Sequence, residues 1–292
     1  MRYWQPVGEL IWLFVTSFAL PSFLVPPALR PLRRIATLKR SFGLLSDFQY
    51  EQSDPGIFYG HLAEDTIALL AAVVAGAQNL GAQATPEQVE RSLAGKRILD
   101  VGGGPGYFGQ AFARRGVEYY TCEPDVGEMA AAGITLESSV RGSGLDLPFR
   151  TDAFDVTYSS NVAEHVPEPW RMGEEMLRVT APGGIMVYSY TIWYGPFGGH
   201  EMGMTHYLGG DRARRIYEKK HGKRPKNYFG ESLFKVGCAE GLRWARSMEK
   251  SGKAELLAAF PRYHPWWAWW MVHIPILREV AVSNLVLVLR KS

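Results

Sequence analysis

The segment Lys96 to Phe112, KRILDVGGGPGYFGQAF, restricts the chain to a small set of folds. Arg97 to Val101 reads as a short buried strand. It runs into four glycines, and a helix is expected at once, from Gly106 to Arg115. Glycine lets a backbone turn sharply and approach a ligand closely. The helix N-terminus behind it offers unpaired N–H groups and a positive dipole end. Gly102, Gly104 and Gly106 give G-x-G-x-G, with Gly103 inside the turn. A dinucleotide fingerprint would need glycine at Tyr107, and no G-K-[ST] follows, which excludes a phosphate P-loop. Asp100, at the strand end, suits a cationic ligand group, directly or through water, and is wrong for pyrophosphate.

Around this turn the pattern alternates. A helix is expected over His61 to Leu80, with Leu62, Leu69, Leu70, Val73 and Val74 on its apolar face. Strands are expected at Glu118–Cys122, Phe154–Ser159, Ile185–Tyr190, Ala254–Phe260 and Asn284–Arg290. Helices are expected at Trp170–Val179 and Ser232–Met248. Strands alternating with helices mean a parallel sheet with crossover helices. A length of 292 residues fits two domains or one elaborated α/β domain, and 47% hydrophobic residues can fill a sizeable core. Two cysteines, Cys122 and Cys238, are too few for a disulfide framework and point to a reducing compartment.

Glu123 ends the second strand, in YYTCEPD. A carboxylate there can accept hydrogen bonds from both ribose hydroxyls of a nucleoside, with Asp125 a nearby alternative. Together these residues resemble class I S-adenosylmethionine-dependent methyltransferases, from about Lys96 to Tyr190. ILDVGGGPG is similar to that family's first motif, and Glu123 sits where its ribose-binding acid sits. SGLDLPF, Ser143 to Phe149, resembles the adenine-side loop. FDVTYSSNVAEHV, Phe154 to Val166, resembles the fourth strand and the turn that faces the methyl group, with Asn161 in it. LRVTAPGGIMVYSY resembles the helix, turn and fifth strand. The resemblance implies an α/β Rossmann-like fold, a seven-stranded mostly parallel sheet with a terminal antiparallel hairpin. It implies S-adenosyl-L-methionine as cofactor, held by Asp100, Gly102, Gly103, Gly104, Gly106, Glu123, Ser143, Gly144, Leu145 and Asn161. Where the family often carries aspartate on the adenine loop, this chain has Ser143. Adenine is then expected against the Ser143 hydroxyl and the backbone of Gly144 and Leu145.

The net charge of +3 is unevenly placed. Residues 1–45 carry six cations against the single Glu9, leaving 26 basic and 28 acidic side chains in the other 247 residues. Nucleic-acid proteins usually spread a basic stripe over the folded domain, so no nucleic-acid partner is expected. Here the cations from Arg30 to Arg40 form a collar beside an uncharged run, Leu10 to Leu29. Pro21, Pro26 and Pro27 argue against one straight helix. A monotopic or re-entrant anchor at the cytoplasmic face of the cell membrane is expected, with Trp4 and Trp12 at the interface and the collar on anionic headgroups. A kinked spanning helix, a signal peptide and a core helix of a soluble fold are the alternatives. Trp266, Trp267, Trp269 and Trp270, in WWAWW, repeat the theme or else pack as core. Residues 1–45 are thus expected as an anchor and 46–292 as the enzyme domain, with a cofactor half over 90–192 and acceptor-side elements over 193–292.

Beyond the fifth strand comes TIWYGPFGGHEMGMTHYLGG, Thr191 to Gly210, which leaves a strand at the end where open α/β sheets bind ligands. Methyl transfer is an in-line displacement at a sulfonium, and a hydroxyl acceptor must lose a proton. His165, His200 and His206 are candidate bases by their near-neutral pKa, with Glu201 as orienting partner. A carboxylate acceptor needs no base, and these groups then only position it. His200, Glu201 and His206 read H-E-x₄-H rather than H-E-x-x-H, and Gly203 disfavours a helix, so no metal is expected there.

GPFGGHEMG and the tail FPRYHP…WAWW…LREV…SNLVLVL resemble envelope-associated methyltransferases of mycolate-producing actinobacteria. That resemblance implies an amphiphilic acceptor, a lipid or glycolipid, in a trehalose-mycolate or similar envelope pathway. Two other readings stand beside it. One is a membrane-associated regulatory or assembly protein that binds the cofactor without catalysis. The other is a soluble small-molecule methyltransferase.

Overall fold

Arg97–Val101 forms β1, four of whose five residues are buried. It lies between β2 (Glu118–Glu123) and β4 (Phe154–Ser160), parallel to both. A strand covered on both faces must be apolar almost throughout, which is why RILDV shows no alternation. The structure is a computed structural model that describes residues 29–47, 50, 54–78, 80, 84–104, 107–124 and 138–292. Leu10 to Ala28, Trp4, Trp12, Gly106 and Asp125 lie outside the described residues.

Among the described residues the sheet has seven strands in the order β3-β2-β1-β4-β5-β7-β6, with β3 at Ser139–Arg141, β5 at Thr180–Thr191, β6 at Ala254–Pro261 and β7 at Asn284–Lys291. β7 runs antiparallel to β5 and to β6, and the other pairs are parallel. This is the class I methyltransferase arrangement that the resemblance implies. The crossover helices include α4 (Gly109–Ala113), α5 (Pro169–Val179) and α7 (Cys238–Lys250), following α1 (Leu38–Asp47), α2 (Pro55–Ala77) and α3 (Pro86–Arg91), with α6 (Gly210–His221) before α7 and α8 (Leu277–Val280) after it.

Each face of the sheet has its own core. On one, Ile67, Leu70 and Val73 of α2 meet Ile98, Phe112, Tyr158 and Val286. On the other, Met172 and Met176 of α5 and Leu242 and Trp244 of α7 meet Leu99, Tyr188 and Leu287. Each such aliphatic side chain stabilises the fold by about 1.5–3 kcal/mol. α2 is the one described helix long and apolar enough to cross a membrane, over Gly56–Ala77. Its Ile67, Leu70, Val73 and Val74 are each at most 2% exposed, so it serves the core.

Three boundaries differ from the sequence expectation. α2 begins at Pro55 rather than His61, because the Asp54 carboxylate accepts from the Ile57 N–H and Pro55 occupies the first turn. α7 begins at Cys238 rather than Ser232. The Ser232 hydroxyl accepts from Tyr228 N and the Phe234 N–H reaches Glu164 O, while Glu279 accepts from the free N–H groups of Cys238 and Ala239. The expected boundary at 45/46 falls inside α1, and the folded body reaches back to Leu29. Leu29, Leu32 and Ala36 are 1% exposed in the α2 core.

The basic collar is partly built into this body. Arg40 pairs bidentately with Asp65, at 2.5 and 2.9 Å, and donates to Arg262 O. Arg33 lies over the Trp266 ring at 4.1 Å, and Trp266 N donates to Ala36 O. Trp266–His273 is a short 3₁₀ segment. Its Trp269 is buried against Phe260, at 4.9 Å between centroids, whereas Trp270 is exposed.

Candidate active site

The turn after β1 shows why it needs glycine. A Cβ at Gly102 would lie 2.4 Å from Val162, and one at Gly103 would lie 2.3 Å from Thr121 Oγ1 and 2.6 Å from Asp100 Oδ2. Gly104 has φ +54 and faces open space. Gly104 N donates to Glu123 Oε2 at 3.2 Å, tying the loop to the acid that ends β2. Tyr107 stacks on Tyr59 of α2, at 4.5 Å and 5° between planes, so α2 walls this side.

Asp100 is 4% exposed and accepts from Tyr119 Oη at 2.8 Å and Tyr158 Oη at 2.5 Å, both on Oδ2. Burial pushes its carboxyl up to about 7. The tyrosine hydroxyls oppose this, and nearby Glu123 adds to it. Arg262 stands behind, 3% exposed, donating to Thr66 Oγ1 at 2.7 Å and to Ser160 Oγ. Two carboxylates at adjacent strand ends and a positive-φ glycine facing open space fit a ligand with a cationic amine and a ribose diol. That is the donor set S-adenosylmethionine requires.

Of the adenine-side residues, Ser143 Oγ accepts from Leu145 N at 3.1 Å and so closes its own turn. Gly144 lies against Met172, where a Cβ would sit 2.7 Å from the sulfur. Asn161 follows β4 directly, with φ +58. Its Oδ1 accepts from Asn284 Nδ2 at 2.6 Å, which links the ends of β4 and β7.

The acceptor-side candidates separate. His165 and His200 come together edge to face, with centroids 5.0 Å apart. His165 Nδ1 lies 2.6 Å from Ser232 O, so that nitrogen carries the proton. Burial, reinforced by His165, pushes the His200 imidazole down to about 4. His206 does not join them. It is fully buried, bonded to Gly203 O at 2.7 Å and packed edge-on to Trp193. Glu201 does not orient a histidine. Its two oxygens accept from Asn227 N and Nδ2, at 2.6 and 2.8 Å, and so clamp the 222–233 loop. Gly203, at φ +57 and ψ −147, interrupts the 3₁₀ segment His200–Leu208, as its residue type implied.

The sequence reading passed over Glu164. It is 2% exposed, accepts from Thr191 N on Oε1 and has no partner on Oε2. The Tyr119 and Tyr158 hydroxyls were missed too. Both look like ordinary strand aromatics, and only register places them on Asp100. An open cleft lined by Lys96, Asp155 and Gly183 lies at the opposite, N-terminal edge of the strands and takes no part in this site.

Residues 99–188 match the model of a methyltransferase domain. The chain is 56% identical over 260 residues to an uncharacterised methyltransferase of Mycobacterium marinum, covering 88% of this chain and 96% of the relative. It is 58% identical over 259 residues to another from Mycolicibacterium vanbaalenii, covering 87% and 95%. Among solved structures it is similar to an S-adenosylmethionine-dependent methyltransferase of Mesorhizobium loti, with 19% identity, a TM-score of 0.44 and coverage of 68% of this chain and 92% of that one.

Proposed function

Since the chain belongs to the S-adenosylmethionine-dependent methyltransferases, we propose that it methylates an amphiphilic acceptor, a lipid or glycolipid, at the cytoplasmic face of a membrane. The observation that carries this reading is an apolar surface at the catalytic edge of the sheet. Leu38, Phe42 and Leu45 share one face of α1 and are 41%, 62% and 48% exposed. Such an amphipathic helix, with the exposed Lys39 beside the stripe, suits an interface. Trp266, bonded to Ala36 just before α1, starts the segment that carries exposed Trp270 and leads to exposed Ile274 and Ile276. Arg40 bonds to Arg262 O just beyond β6, and Arg262 N donates to Asn284 O at the start of β7. That is the edge where Thr191 and Asn161 lie.

In this reading the glycine turn, Asp100 and Glu123 hold the cofactor, which supplies a methyl group on a sulfonium. Asn161 and the turn Ala163–His165 flank the methyl, and His165 and His200 line the acceptor side. An acceptor hydroxyl aligned in line with the methyl loses its proton as its oxygen attacks. An envelope glycolipid of mycolate-bearing bacteria is the acceptor class we favour, supported by the GPFGGHEMG resemblance and the mycobacterial relatives.

Vesicle flotation and labelled-methyl transfer test this reading. The full chain should float with anionic vesicles, and the triple variant Leu38→Ser, Phe42→Ser, Leu45→Ser should float less. Label from S-adenosylmethionine should enter an organic-extractable glycolipid. Equal flotation of the two proteins removes the interfacial role of α1. Label confined to water-soluble acceptors removes the lipid acceptor.

A further inference from the structure

We propose that Glu164, His165 and His200 form a binding site for a divalent first-row transition-metal ion on the acceptor side of the cleft. One potential ligand atom from each of these residues lies within 4.8 Å of those of the others. They come from two segments. Glu164 and His165 belong to the turn after β4, and His200 opens the 3₁₀ segment after β5.

The free atoms are of the right kind. Glu164 Oε1 is taken by the Thr191 N–H, while Oε2 is buried without a partner. His200 Nε2 is likewise buried and unpartnered. The Ser232 carbonyl can only accept, so it fixes the proton of His165 on Nδ1 and leaves a lone pair on Nε2. Metal-bound histidines usually donate their other ring N–H to a carbonyl or carboxylate in this manner. A buried, half-satisfied carboxylate beside two imidazoles is costly unless something shared satisfies it. A cation does so for all three at once.

Two imidazoles and one carboxylate suit Zn²⁺, Co²⁺, Mn²⁺ or Fe²⁺, with bonds of roughly 2.0–2.2 Å and positions left open for an outside ligand. The site needs a small closing movement of the three side chains. The set differs from the H-E-x₄-H residues. Glu201 is engaged by Asn227, and His206, though its Nε2 is also unpartnered, lies outside the cluster, so His200 instead meets a pair from another loop.

The role of the ion rests on the proposed methyltransferase reaction on an oxygen acceptor. An acceptor hydroxyl on an open position would be acidified, as metal-bound water is. Its O–H bond breaks and the proton leaves to water. The oxygen lone pair forms the O–CH₃ bond, and the S–CH₃ electron pair stays on sulfur, giving the thioether product.

The test is titration of the untagged full chain with Co²⁺ and with Zn²⁺ alone, followed by visible absorption and calorimetry. The expected result is one equivalent of Co²⁺ with ligand-field bands, displaced by Zn²⁺. His200→Ala and Glu164→Gln should each lower affinity by about tenfold or more. His221→Ala, an exposed histidine on α6, should bind as wild type does. No stoichiometric binding by the wild-type chain, or equal binding by both site variants, overturns the site. Because the wild-type result stands alone, a variant that fails to fold does not protect the idea. The acceptor reading fails separately. Metal binding without label in any lipid removes the lipid acceptor and leaves the site. Equal rates for chelator-stripped and metal-loaded protein overturn the ion's role in transfer.

Discussion

Asp100 and Glu164 are both buried carboxylates near the C-terminal ends of neighbouring strands, yet their surroundings differ. Asp100 is enclosed by hydrogen bonds from Tyr119 and Tyr158, which fix its Oδ2 in one place. Glu164 has one oxygen held by backbone and the other held by nothing. In the half proposed to hold the cofactor, the backbone turn is bonded to Glu123 and Asp100 is pinned by two phenols. The acceptor half keeps open valences at Glu164 and His200. A half that serves one fixed ligand can be built tight, whereas a half that admits and releases an acceptor must leave polar groups unspent.

Crowding the tight half breaks this contrast most severely. In Gly103→Val the new Cβ falls within van der Waals distance of Thr121 Oγ1 and Asp100 Oδ2, both fully enclosed. The turn must shift, and cofactor binding should vanish in calorimetry. Overpacking should also lower stability by about 1–3 kcal/mol. Retained affinity would mean that the turn is not the cofactor cradle. Glu123→Ala comes next. It removes the anchor of Gly104 N as well as the expected ribose contacts. The expected loss is about 2–3 kcal/mol, or roughly a hundredfold in cofactor affinity. An unchanged Kd would shift the ribose to another acid.

Asp100 provides a pH test of the same half. Its folded pKa, about 7, is raised from an ordinary 3.8. Between those values the folded chain holds a proton that the unfolded chain releases. The contribution of this group is therefore complete below the unfolded pKa and is lost as pH rises through about 7. The unfolding free energy of the wild type, from denaturant titration, should fall from pH 5 to 8 by something on the order of 2 kcal/mol, and Asp100→Asn should flatten that slope. The groups facing Asp100 are Tyr119, Tyr158, Glu123 and Arg262. A cationic amine bound there should expel the proton, so cofactor binding near pH 6 should release protons when measured in two buffers. An unaltered slope in Asp100→Asn would place the titration elsewhere.

The two halves were also unequally legible. The turn at Gly102–Gly104, Asp100 and Glu123 lie within 24 residues, and their chemistry is local: a strand, a turn that only glycine can make, and an acid at the next strand end. The parallel sheet followed from the alternation and its seven strands and final hairpin from the family resemblance, but the three-residue β3 is too short to show a pattern of its own. The acceptor side is assembled across distance. His165 meets His200 and Ser232, Glu164 meets Thr191 and Phe234, and Asn161 meets Asn284. No spacing along the chain encodes those pairs. A glutamate beside a histidine in a polar turn reads as solvated until the loops that bury it are placed. The same blindness affected His206 and Glu201, which looked like chemistry: His206 bonds within its own loop, and Glu201 clamps the 222–233 loop. Arg33 and Arg40 looked like headgroup contacts and are tied to Trp266 and Asp65.

Glu201 gives the smallest and most discriminating effect. Its bidentate clamp on Asn227 holds the 222–233 loop, whose Ser232 carbonyl in turn fixes the tautomer of His165. The clamp is largely exposed, so Glu201→Ala should cost only about 1 kcal/mol of stability. Cofactor affinity should stay at the wild-type value, because nothing on the glycine turn touches this loop among the described contacts. Hydrogen exchange should rise across 222–233. If the loop's one function is to hold His165, KM for the acceptor should rise with little change in cofactor Kd. A fall in cofactor affinity matching the fall in turnover would mean that the two halves are mechanically coupled, and the division between a closed receptor and an open acceptor side would no longer describe the protein.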